Sequence, residues 1–135
     1  MILAVDTSAL LAIFKGEPSA RGWMRLLALA GRRGRTVVCD VVAAEVSARF
    51  PSEIQFSEAL ASLGIEFDPI GLAAATLAGR LHAAYRQEGG PRQHLIPDFL
   101  IGAHAAKQAD SLAAIDRGYL RRYFDGLKVI APKSS

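Results

Sequence analysis

The chain opens with an apolar run that stops at an acid. Ile2-Leu3-Ala4-Val5 is short, carries β-branched residues at both ends, and is followed directly by Asp6. A run of this length with no polar residue reads as a strand buried on both faces, the kind found in parallel sheets. Thr7 and Ser8 follow, then Ala9-Leu10-Leu11-Ala12-Ile13-Phe14, a helix whose first turn either hydroxyl can cap. A buried strand running straight into a helix restricts the fold to α/β architectures. It also sets Asp6 at the carboxyl end of a central strand, where open α/β sheets hold ligands and carry out chemistry.

The alternation continues down the chain. Gly16-Glu17-Pro18 breaks the first helix, and Ser19 caps a second through Trp23, Leu26, Leu27 and Leu29 that ends near Gly31. A basic loop, Gly31-Arg32-Arg33-Gly34-Arg35, leads into a strand at residues 36–39, with Asp40 capping a helix over 41–49. Pro51 opens a helix to about Ser62, and Ile65 to Ile70 alternates as a short strand that Pro69 assigns to an edge. An alanine-rich helix runs from Leu72 to about Gln87, and residues 88–93 form a loop. Pro97 suits the first turn of a helix reaching Gln108. A strand from Ser111 to Ile115 stops at Asp116, a helical turn covers 119–124, and a last strand covers 127–130. Strands alternating with helices predict a mainly parallel sheet covered on both faces, within a single domain over residues 1–135.

Composition narrows the setting. No apolar run approaches the ~20 residues of a membrane span, and no basic segment precedes Ile2 as a signal peptide would require. Cys39 is the only cysteine, so no internal disulfide forms, as expected of a cytoplasmic protein. A net charge of +3 and a pI near 9.4 permit a nucleic-acid partner without demanding one.

Four carboxylates stand in apolar surroundings: Asp6 and Asp116 at strand ends, Glu45 within VVAAEV, and Asp98 in the first turn of IPDFLIGAHA. Each has an ordinary reading. Asp6 can cap the first helix, Glu45 can pair with Arg49 one turn on, Asp98 can simply begin a helix, and Asp116 can shape a turn before Gly118. Together they predict more, because a doubly wound sheet can bring all four to one edge. Two like charges ~4 Å apart repel by about 4 kcal/mol at an effective dielectric of ~20. Several such pairs rival the ~5–15 kcal/mol stability of a domain, so a converged set takes up protons or a hard cation. Oxygen donors without histidine or cysteine select Mg²⁺ or Mn²⁺, and such a cation can drive water onto phosphorus in a phosphodiester.

These segments resemble the PIN domain, and within it the VapC toxins of bacterial toxin–antitoxin pairs. The resemblance rests on VDTSAL with Asp6, VVAAEV with Glu45, IPDFLIGAHA with Asp98 and AAIDRGYLRRYF with Asp116, and covers nearly the whole chain. It implies a three-layer α/β/α sandwich with four to five central strands. It implies a Mg²⁺- or Mn²⁺-dependent endoribonuclease, a homodimer held inactive by a cognate antitoxin. Asp6, Glu45, Asp98 and Asp116 become the catalytic, metal-binding acids. The family commonly carries threonine or serine two residues before its last acid, where this chain has Ala114. That departure implies weaker support for the metal or its water, for which Thr7 or Ser8 can compensate.

Topology sorts the basic residues. Arg32, Arg33 and Arg35 precede a strand and so belong at the edge away from the acids. Arg117, Arg121 and Arg122 follow Asp116 directly, and Arg86, Arg92 and His94 adjoin the loop before Asp98; these can meet RNA phosphates. His82 and His104 read as structural, and Trp23, Phe14 and Phe50 as core or partner packing. The alternative function is a PIN-like module that binds RNA or a partner without cutting. An aspartate-based phosphotransferase fits poorly, since Ser8 occupies the place of its second aspartate.

Overall fold

A computed structural model describes residues 1–90, 96–116 and 118–133. Its sheet contains β1 (Ile2–Val5), β2 (Arg35–Val38), β3 (Ile65–Phe67), β4 (Ser111–Ala113) and β5 (Lys128–Ile130), in the order β3-β2-β1-β4-β5. All the pairings are parallel, with Leu3 opposite Thr36 on one side and Ser111 on the other. Every residue of β1 after Ile2 is buried, which explains why its sequence is continuously apolar.

Helices α1 (Thr7–Lys15) and α2 (Ala20–Arg33) connect β1 to β2. Helices α3 (Asp40–Ser47) and α4 (Glu53–Ser62) lead to β3; α5 (Leu72–Gln87) and α6 (Ile96–Gln108) lead to β4; α7 (Tyr119–Tyr123) precedes β5. α2 packs on β2, and α6 packs on β1, β4 and α5; the right-handed rule for parallel crossovers assigns α1 and α2 to one face and the α5–α6 pair to the other, in three layers. The chain leaves β1 toward β2 and leaves β4 toward β5, in opposite directions. The carboxyl ends of β1 and β4 therefore flank the topological switch point, the usual binding crevice of such sheets.

Several boundaries differ from the sequence expectation. The basic run is not a loop: Arg32 and Arg33 form the last turn of α2, where arginine's helix propensity and the negative helix end both favour it. Arg35 begins β2 and pairs with Glu66 at 3.2 Å. Asp6, not Thr7 or Ser8, caps α1, and Ser52 caps α4, whose first residue Glu53 lies two beyond the expected start at Pro51. Cys39 caps α3, with Asp40 inside the helix, and burial pushes its thiol up from the usual value. β4 stops at Ala113, leaving Ile115 exposed in the connection to α7.

Two groups fix α6, which carries Asp98. Phe99 is fully buried, with ring centroids of His82, Tyr85, Tyr119, Tyr123 and Phe124 at 5.3–6.1 Å. Buried His104 meets Asp68 Oδ2 through Nε2 at 2.9 Å, and Gln108 Nε2 donates to the same oxygen at 3.0 Å, tying α6 to the chain after β3. Both histidines are structural, as expected. Trp23 is buried, and Phe14 packs edge-on to Phe50 at 5.1 Å. Phe99→Ala should cost about 3–5 kcal/mol, read as a lower urea midpoint, because it empties the centre of this aromatic group.

Candidate active site

Asp6 leaves β1 held against its neighbour strand: its N–H donates to the Ala113 carbonyl at 3.0 Å. Its extended backbone suits an N-cap, and Oδ2 accepts from the Ser8 amide at 3.3 Å and the Ser8 hydroxyl at 2.5 Å. Thr7 turns the other way and donates from Oγ1 to Glu45 Oε1 at 2.6 Å. Two adjacent hydroxyls thus serve two carboxylates that lie on separate elements. Glu45 bonds Thr7 and forms no ion pair with Arg49. Neither Asp6 nor Glu45 is paired with an arginine or lysine among the described residues.

Asp98 stands half-buried in the first turn of α6. That helix packs on β1, β4 and α3, and α3 packs on α1, so the elements bearing Asp6, Glu45 and Asp98 touch one another. Asp116 lies beyond β4 at the same edge. Gly118, at φ 102°, sends its N–H to Asp116 Oδ1 at 2.8 Å, and Arg121 Nε donates to Oδ2 at 3.2 Å. The glycine is needed there because a side chain would be strained at that φ. Arg121 is 83% exposed, so its ion pair contributes little.

The structure therefore joins Asp6 and Glu45 through their hydroxyl neighbours and sets Asp98 and Asp116 on elements that end at the same edge. It does not close them into one ligand shell: among the described residues, no three histidine, cysteine or carboxylate side chains are grouped as a metal-holding set. The donor chemistry nevertheless suits a hard cation. Asp6 and Glu45 offer oxygen only, and among the described residues no cationic side chain pairs with either.

Ala114 is buried and its N–H donates to the Ile130 carbonyl, so no hydroxyl reaches the acids from that position. Thr7 donates to Glu45 and Ser8 to Asp6. Among the basic candidates, Arg122 donates to Glu88 Oε2 at 2.5 Å and Arg86 is exposed at the end of α5. Arg92, His94 and Arg117 lie outside the described residues. The Thr7–Glu45 bond had no local signal in the sequence, since it joins residues 38 apart.

The profile of the PIN domain matches residues 3–125. No curated protein matches the chain in sequence. Among solved structures, VapBC2 from Rickettsia felis, bound to a promoter DNA fragment, has a TM-score of 0.75 at 18% identity, covering 98% of this chain and 100% of that one. VapBC-1 from nontypeable Haemophilus influenzae gives 0.69 at 18%, covering 97% and 98%. VapC20 from Mycobacterium tuberculosis, a sarcin–ricin-loop-cleaving toxin, gives 0.63 at 16%, covering 93% and 98%. At these identities the likeness is one of fold.

The capping role of Asp6 separates from its charge. Asp6→Asn retains a good cap and should leave stability within a few tenths of a kcal/mol, whereas Asp6→Ala should lose about 1 kcal/mol in urea unfolding.

Proposed function

The chain belongs to the PIN-domain family, and on that premise we propose that it is a metal-dependent endoribonuclease acting as the toxin of a toxin–antitoxin pair. The observation that carries this reading is the pair Asp6 and Glu45, held at the sheet's switch point by Ser8 and Thr7 and without a cationic partner among the described residues. Asp6, Glu45, Asp98 and Asp116 would hold Mg²⁺ or Mn²⁺. When bound, the cation supplies positive charge for the scissile phosphate and acidifies water for in-line attack.

The chain's own side chains do the rest. Ser8 and Thr7 occupy one oxygen of each carboxylate by donating a hydrogen bond to it, which fixes the orientation of the other. The N-termini of α1 and α6 lower the cost of assembling negative charge beside Asp6 and Asp98. Arg86, Arg92, Arg117, Arg121 and Arg122 supply positive charge for RNA phosphates. The VapBC assemblies among the fold relatives support an antitoxin partner here. A homodimer and a cytoplasmic location complete the proposal; no helix among the described residues is long and apolar enough to cross a membrane.

A second reading, RNA or partner binding without cleavage, is favoured by buried Ala114 and by the engagement of Asp116 with Gly118 and Arg121. Incubation with total RNA separates the two. The nuclease should cut with Mg²⁺ or Mn²⁺, stop with EDTA, and lose roughly 100-fold or more in rate on Asp6→Asn or Asp98→Asn. Equal cleavage by the variants, or RNA bound but never cut, would overturn the nuclease reading.

A further inference from the structure

A groove of about 760 Å³ lies beside the acidic edge, lined by neighbours of Asp6 and Asp116 and not by the acids themselves. Ser8, whose hydroxyl is on Asp6, lines it, as does Ile115, the neighbour of Asp116. One wall is the first half of α2 and the other the chain after β5; they touch where Gly22 meets Pro132, since a Cβ on Gly22 would lie 2.8 Å from that ring. We propose that this groove binds the phosphodiester backbone of single-stranded RNA and carries the strand on from the acidic edge. The proposal rests on the nuclease reading for the identity of the ligand and extends it to residues outside the acidic edge.

Charge supports the assignment. Arg21 and Arg25 are four residues apart on α2 and therefore share a face, and Lys133 comes from the opposite wall. All three are exposed, and none forms an ion pair among the described residues. Glu17 is the acid lining the groove, leaving a positive excess. The first turn of α2 contains no acid and Ser19 makes no side-chain cap bond, so the positive helix end adds to the same field. Trp23 lines the groove but is almost wholly buried, so it offers no platform for a base. The grip is on phosphates: salt-dependent and nearly indifferent to sequence.

The test measures anisotropy of labelled single-stranded RNA against the full chain carrying Asp6→Asn, so that binding is read without cutting. Adding R21E, R25E and K133E should weaken binding roughly tenfold or more and make the salt slope shallower by about 2, three contacts at ~0.7 each. The neutral set R21Q, R25Q and K133Q should move the same way by less. R32E with R33E, at the far end of α2, should change nothing. Unchanged affinity in the groove variants overturns the proposal, as does an absence of RNA binding, or binding of an acidic peptide in its place. Cleavage is scored separately on the wild-type chain with Mn²⁺. Groove-dependent binding without cleavage would sink the nuclease reading and leave the groove standing.

Discussion

The hydrogen bond from the Asp6 amide to the Ala113 carbonyl closes β1 onto β4 just before their chains part. From that point one connection goes toward β2 and the other toward β5, so helices cannot cover the crevice between them. Everything proposed about function depends on this opening. It sets Asp6 beside the end of β4 and leads the chain to Asp116. It also leaves room for α3 and α6, the helices that bear Glu45 and Asp98, to pack on one another, with α6 against β1 and β4.

Negative charge gathered in this way needs support, and among the described residues Asp6 and Glu45 receive it from hydroxyls and not from basic side chains. Ser8 and Thr7 donate to one oxygen each, and the α1 amide of Ser8 adds a second bond to Asp6. Hydrogen bonds to charged groups contribute about 1.5–3 kcal/mol each, enough to hold a carboxylate in place but not to neutralise it. The remaining charge is what a divalent cation would complement. Asp116 differs, because Gly118 and Arg121 already engage both of its oxygens. By that contrast Asp6 and Glu45 keep more uncompensated charge than Asp116 at the candidate site.

Legibility followed locality. The strand before Asp6 and the whole of α5 could be read because their patterns are continuous and their ends are marked by residues next to them. The end of α2 could not, since Gly31 reads as a stop while packing against β2 carries the helix on to Arg33. The sequence pattern makes β4 two residues too long because Ala114 and Ile115 are apolar, yet the chain turns there and exposes Ile115. At the site, the acids were legible as acids in apolar surroundings. The division of labour between Thr7 and Ser8 was not, because it depends on how α3 seats against α1. The groove escaped for a similar reason: its cations come from a helix read by its apolar face and from a tail read only as polar.

The central claim is that Asp6 and Glu45 share a divalent cation, and calorimetric titration of Mn²⁺ into the metal-free protein tests it most directly. Binding in the wild-type chain that disappears in both Asp6→Asn and Glu45→Gln, with folding unchanged, is the predicted result. Binding of equal strength in either variant, or none in the wild type, would contradict the account.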